Sequence, residues 1–177
     1  MKKLILSLML TILLNAGLAE RAAAFDPSLN FAIGSGHVDS VTFDLWLQQT
    51  YGTWFSGDSW TVRPLTTQGV TFWHDPDESE AVVGLLASIG VVLNYYGETV
   101  QPYVMINAGP SIISETYFAD RHLGGHFIFN TRVMGGLRFG ENFRHNLSVH
   151  ATHYSNAYIY EDNDGFNTVG LAYGYTF

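Results

Sequence analysis

The chain has 177 residues, of which 47% are hydrophobic, 15% aromatic and only 14% charged, with no cysteine and a formal net charge of −8. The missing cysteines exclude a disulfide-stapled secreted module, and the acidic balance argues against a nucleic-acid partner. Eighteen glycines beside so many aromatics and so few charges are unusual for a soluble domain.

The first segment, residues 1–24, carries Lys2 and Lys3, an apolar run from Leu4 to Leu14, and small residues at 17–19 and 22–24. This is the layout of a secretory signal peptide cleaved after Ala19 or Ala24. Its apolar run is shorter than the roughly 20 residues that a membrane-crossing helix needs. Residues 25–177 then make a single domain with five arginines, no lysine and fifteen acidic residues, a net charge of −10. No apolar stretch in it reaches the length of a membrane helix.

The period of two along this domain predicts eight strands, over 28–36, 40–51, 59–74, 80–96, 101–117, 126–140, 145–156 and 167–177. In the third, Pro64 and Gly69 interrupt the alternation. In the fourth, Ala81, Val83, Leu85, Ala87, Ile89, Val91, Leu93 and Tyr95 share one face, against Gly84, Ser88, Gly90 and Asn94 on the other. The fifth sets Val104, Ile106, Ala108 and Ile112 against Tyr103, Asn107 and Ser111. The sixth sets Phe127, Phe129, Val133, Leu137 and Phe139 against Asn130, Arg132, Gly136 and Arg138. The last sets Val169, Leu171, Tyr173, Tyr175 and Phe177 against Thr168, Gly170, Ala172, Gly174 and Thr176.

In a soluble β-sandwich the face opposite the apolar one carries solvent-facing charge. Here that face holds mostly small residues with a few arginines, which suits the crowded interior of a closed barrel, with the apolar face turned to lipid. The fold expected is all-β: an eight-stranded antiparallel transmembrane β-barrel, filled rather than porous, crossing the outer membrane of a Gram-negative bacterium several times. Arg63, Arg132, Arg138 and Asp44 would form its interior polar network. With both ends periplasmic, the stretches "NYYGET" and "GENFRHN" are inner turns, while "DPDESE", "ADRHLGG" and "AYIYEDNDGF" face outward. The terminal Phe177 on an alternating strand resembles the ending that the barrel-assembly machinery reads.

The seventh strand poses the functional question. Leu147, Val149, Ala151, His153 and Ser155 share one face, and Asn146, Ser148, His150, Thr152 and Tyr154 the other. Parity therefore puts a histidine and a serine on the lipid side, about 7 Å apart at Cα and at the upper end of the strand. Their plain reading is a pair of interfacial polar residues marking where the lipid face ends. Their chemical reading is a serine with a histidine base, the apparatus for cleaving an ester, held beside the ester-linked acyl chains of the outer leaflet. His145 and His150 differ in parity, so no histidine metal cluster is expected, and no cofactor.

The residues "HYSNA" at 153–157, "NDG" at 163–165, and "SETYFADRHLGGHFIFNTRVMGGLRFG" upstream resemble the PagL-type lipid A deacylase family of outer-membrane acyloxyacyl hydrolases. The resemblance covers Pro102 to Phe177, and the N-terminal half in strand pattern. It implies that Ser155 is the nucleophile and His153 the general base, with oxyanion donors from the region of Asn156 and Asn163. It implies lipid A within lipopolysaccharide as substrate, the 3-position chain as the one removed, and a homodimer among membrane lipids. Two positions depart from the family pattern. Tyr158 follows Ala157 where the pattern has a glycine, and Asn167 stands where it has an acid, twelve positions after the serine. Glu161, Asp162 and Asp164 are alternatives for that third role. The rival function is a catalytically silent barrel of structural or adhesive use, with acidic external loops as its working surface or as holders of divalent cations.

Overall fold

A computed structural model describes residues 26–177 apart from Val38, Glu78 and Ser79. The leader expected over residues 1–24 lies outside the described residues. Eight long strands are present: β1 (Asp26–Ser35), β2 (Val41–Thr50), β3 (Trp60–Asp75), β4 (Glu80–Tyr95), β5 (Gln101–Ile113), β6 (Phe127–Phe139), β7 (His145–Ser155) and β8 (Phe166–Thr176). Each pairs antiparallel with the next. The sheet closes where β8 meets β1, with Leu29 opposite Tyr175 and Ile33 opposite Leu171. Closure removes the unpaired edges that an open sheet would present, which lipid does not tolerate.

The two faces are inverted relative to a soluble domain. Leu29, Phe31, Ile33, Leu45, Ile89, Val104, Ile106, Val133, Leu147, Val149, Val169 and Leu171 are all exposed on the outside. Ser28, Asn30, Asp44, Ser88, Asn94, Asn107, Asn130, Arg132, Asn146, Ser148 and Thr168 are buried inside. That distribution excludes the soluble sandwich, because only a lipid solvent stabilises such an exterior.

Both irregularities of the third strand have local causes. Pro64 lies one residue past the end of the β2–β3 ladder, whose last pair is Thr50 opposite Leu65. There its carbonyl accepts from the Tyr51 N–H at 2.9 Å, a role that proline retains. Gly69 faces Trp46, and a Cβ at Gly69 would stand 2.6 Å from the Trp46 Cβ. The strand is therefore continuous.

The interior carries the polar network expected among its small residues. At its centre Arg132 and Asp44 pair at 2.5 Å, each with only 3% of its side chain exposed, and the guanidinium lies 4.4 Å from the Trp46 ring centre. Arg138 bonds Asn94 and lies 4.5 Å from the Tyr103 ring. Arg63, expected in the same network, lines with Arg138 and Asn94 a polar cavity of about 370 Å³ near Phe177, and there pairs with Asp26 at 2.5 Å.

The opposite end is sealed by an apolar plug of Trp73, Val82, Ile113, Phe118, Leu123, Ile128, Tyr154 and Phe166. Part of that plug comes from a loop. β5 stops at Ile113 rather than at the expected 117, because the chain leaves the barrel wall there. Tyr117–Phe118 then pairs with Arg121–His122 in a two-residue ribbon, turned by Ala119 and Asp120 at φ 50° and 59°. Positive φ at both turn positions matches the twist of a tight hairpin. The fold drops Phe118 and Leu123 into the barrel mouth, both fully buried.

Candidate active site

His153 and Asn167 are register partners across β7 and β8. The His153 Nδ1–H donates to Asn167 Oδ1 at 2.7 Å, and both side chains are exposed on the outer face. An acceptor at Nδ1 fixes the proton there and leaves Nε2 with its lone pair, the form a general base requires. Ser155 is half-buried on the same face, opposite Phe129 of β6. Among the described residues no hydrogen bond joins its hydroxyl to the imidazole. In unliganded enzymes such contacts are often long and close around substrate.

The rigidity of this surface comes from the residues between the polar ones. Strand side chains alternate, so Tyr154, between His153 and Ser155, points inward, as does Phe166 beside Asn167. Tyr154 and Phe166 are themselves register partners. They pack on Trp73 with ring centres 4.7 and 4.6 Å away, and aromatic contacts of this kind contribute roughly 0.5 to 1.5 kcal/mol each beyond burial. The plug inside thus anchors the outward side chains on both strands. Gly165 completes the setting: with φ +68°, a Cβ there would stand 3.1 Å from His153 Cε1.

Beyond Ser155 the chain turns sharply. Ile159 N–H bonds the Asn156 carbonyl at 3.1 Å, with Ala157 and Tyr158 between them at φ 52° and 60°. This is the turn geometry that favours glycine, and at Tyr158 it is kept without one. Non-glycine residues held there cost about 1 to 3 kcal/mol each and persist where the surroundings over-determine them.

Asn156 supplies that constraint. It is fully buried; its Nδ2 donates to Leu123 O at 2.9 Å and Asp162 O at 2.5 Å, and its backbone N–H donates to Asn163 Oδ1 at 2.9 Å. All its donors are spent within this loop and on the neighbouring one that carries Leu123. The Asn163 amide nitrogen, next to the residue that follows Ser155, carries no hydrogen bond among the described residues.

The acidic alternatives to Asn167 lie elsewhere. Asp162 Oδ2 is 3.2 Å from His122 Nδ1, and Asp164 Oδ2 accepts from the His122 N–H at 2.8 Å. Glu161 is exposed on the loop. His145 sits outward at the opposite end of β7, bonded to the Tyr173 hydroxyl at 2.6 Å, while His150 is buried inside.

Two contributors lay within quoted motifs without an assigned role, Gly165 at the imidazole and the residues around His122. The triplet "NDG" was the available signal for the first.

A family model described as lipid A 3-O-deacylase (PagL) matches residues 40–176. The lipid A deacylase PagL of Pseudomonas aeruginosa is 27% identical over 174 residues, 98% of each chain. That of Bordetella bronchiseptica is 31% identical over 157 residues, 85% of this chain and 82% of the relative. A crystal structure of the outer-membrane enzyme PagL superposes with a TM-score of 0.76 at 24% identity, covering 84% of this chain and 98% of that one, a likeness of fold. With closure, inverted faces and family match in agreement, the chain belongs to the lipid A 3-O-deacylase (PagL) family and is a β-barrel protein of the Gram-negative outer membrane.

Proposed function

We propose that this chain hydrolyses the ester-linked acyl chain at the 3-position of lipid A, with Ser155 as nucleophile, His153 as general base and Asn167 as the residue that orients it. The observation that carries the reading is the 2.7 Å bond from His153 Nδ1 to Asn167 Oδ1 on the outward face, beside Ser155. The substrate class rests on the family and its relatives. The 3-position rests on the family description alone.

In this mechanism Ser155 Oγ attacks the ester carbonyl while its proton passes to His153 Nε2. Negative charge gathers on the former carbonyl oxygen, where the Asn163 amide nitrogen donates; a well-placed donor of this kind contributes about 3 to 4 kcal/mol. Asn156 fixes Asn163 by its N–H. The tetrahedral species collapses, the C–O bond to the sugar breaks, and the imidazolium returns its proton to the sugar oxygen. Water then attacks the acyl-serine, His153 again taking and returning the proton, and the free fatty acid leaves into the bilayer. Asn167 holds the imidazole tautomer but brings no charge to the imidazolium, so this triad is slower than one with a carboxylate.

Mass spectrometry of lipid A from Gram-negative cells expressing the wild type, Ser155→Ala and His153→Asn tests the reading. The wild type is expected to remove one ester-linked chain and both variants none, with heat-modifiable gel migration showing that all three are folded. Full-length acyl patterns in all three would instead support the silent barrel, which the amide at position 167 favours. Residues 1–24 are read as an export leader; N-terminal sequencing of protein from outer membranes is expected to begin at Glu20 or Phe25.

A further inference from the structure

We infer that the loop segment Arg121–Gly125 is a positioning clamp for the active-site loop 156–165, and that its paired glycines exist to let the two loops touch. The inference rests on the esterase reading above and goes beyond it, because none of the clamp residues reaches the reacting atoms.

The contacts run along the whole segment. Arg121 Nη1 donates to Asp164 O at 3.5 Å and Nη2 to His37 Nε2 at 2.6 Å. His122 and Asp164 exchange two bonds, His122 N–H to Asp164 Oδ2 at 2.8 Å and Asp164 N–H to His122 O at 3.1 Å. Leu123 O receives Asn156 Nδ2 at 2.9 Å. At Gly124, φ +77°, a Cβ would stand 2.6 Å from Asn156 Nδ2 and 2.9 Å from Tyr160 Cβ. At Gly125 it would meet the Tyr160 ring, with Cδ2 2.8 Å away. Both glycines are therefore places where one loop lies against the other with no room for a side chain.

The clamp is fixed at one end and loaded at the other. Phe118 and Leu123 root it in the aromatic plug, Phe118 with ring centres 5.8 Å from Trp73 and 5.3 Å from Phe166. Its grip falls on Asn156, Asp162 and Asp164, which flank Ser155, Asn163 and Gly165. Those three are the nucleophile, the amide donor and the residue against the imidazole. Loops close over free ends with many conformations to lose, and misplacement of a reacting group by about 1 Å can cost roughly a hundredfold in rate. A loop ten residues long, held to a buried anchor by backbone pairs and glycine contacts, avoids that loss.

The test uses the full chain in detergent micelles with purified lipopolysaccharide, comparing Gly124→Ala, Asp164→Ala and Asp164→Asn with the wild type and Ser155→Ala. Gly124→Ala and Asp164→Ala are expected to lower kcat by about tenfold or more, with KM within about twofold, as befits lost positioning rather than lost binding. Asp164→Asn is expected to recover most of the loss, because an amide oxygen still accepts from the His122 N–H. Hydrogen exchange at 156–165 rises in the two alanine variants, while heat-modifiable migration reports an intact barrel.

Unchanged kcat and unchanged exchange in both alanine variants would overturn the clamp. So would an Asp164→Asn enzyme as slow as Asp164→Ala, since that would make the carboxylate itself the working group. If Ser155→Ala remains active or the wild type is silent, the esterase reading fails instead, and the exchange measurement alone decides whether the loops are clamped.

Discussion

Asn167 and His153 face each other across two hydrogen-bonded strands, amide oxygen to ring nitrogen at 2.7 Å, on the side of the barrel that meets lipid. The pairing is built into the register: while β7 and β8 keep it, the imidazole has an acceptor at Nδ1 and a free Nε2. An amide in this place supplies orientation without charge. In serine hydrolases, exchange of the acid for an amide costs about four orders of magnitude when the wrong tautomer results; under the proposed mechanism Oδ1 is the atom presented, so that part of the penalty would be avoided.

Substitution at Asn167 separates the two contributions. Asn167→Asp restores a charge beside the imidazolium and is expected to raise kcat by about tenfold, whereas Asn167→Ala removes the acceptor and lowers it by at least about tenfold. Steady-state release of fatty acid from micellar lipopolysaccharide checks both. A fall in rate with Asp would mean that the amide has a role other than orienting His153.

Gly165 is the second sensitive position. Its φ of +68° and the 3.1 Å approach of an added Cβ to His153 Cε1 mean that Gly165→Ala strains the backbone by about 1 kcal/mol and presses on the ring. The expected outcome is a folded barrel with at least tenfold lower kcat, in line with the roughly hundredfold cost of small misplacements. Parallel gel migration and rate measurements check it.

The centre of the barrel predicts stability rather than rate. Arg132→Met leaves Asp44 buried without its ion pair, and loss of one partner of such a pair costs about 3 to 5 kcal/mol. Denaturant unfolding of the micellar protein measures this; replacing both partners together is expected to cost less than Arg132→Met alone.

Orientation in the membrane has its own test. Val149 is 60% exposed on the same face as His153, and a cation on the lipid side of a barrel strand costs roughly 2 to 4 kcal/mol at mid-bilayer. Val149→Arg is expected to lower stability in lipid vesicles by that order, and Val149→Ala by little.

Much of this was legible from alternation. Leu147 and Val149 fixed the side on which His153 and Ser155 emerge, and Val169 gave the same parity to Asn167, because strand side chains keep a period of two through the whole wall. The closed barrel followed from the same pattern. What alternation cannot show is contact made by a loop. Phe118 and Leu123 belong to no periodic face, yet they fill the barrel mouth and draw β5 to an early end at Ile113. Tyr154 read as one more inward polar residue, whereas its ring is part of the plug that steadies its two neighbours. The acids at 162 and 164 looked available to His153 until the structure set them on His122, a partner about forty residues away in the chain. Arg63 shares the inner cavity with Arg138 and Asn94 as alternation suggests, but its ion pair with Asp26, 37 residues earlier, lies beyond the reach of any local pattern.

The most direct measurement is covalent trapping. Wild-type protein in micelles is treated with a long-chain fluorophosphonate, which reacts only with an activated serine hydroxyl, and the adduct is located by peptide mass spectrometry. A single adduct on Ser155 that disappears in His153→Asn is expected. An adduct on another serine, or equal labelling of Ser155 in His153→Asn, would contradict it.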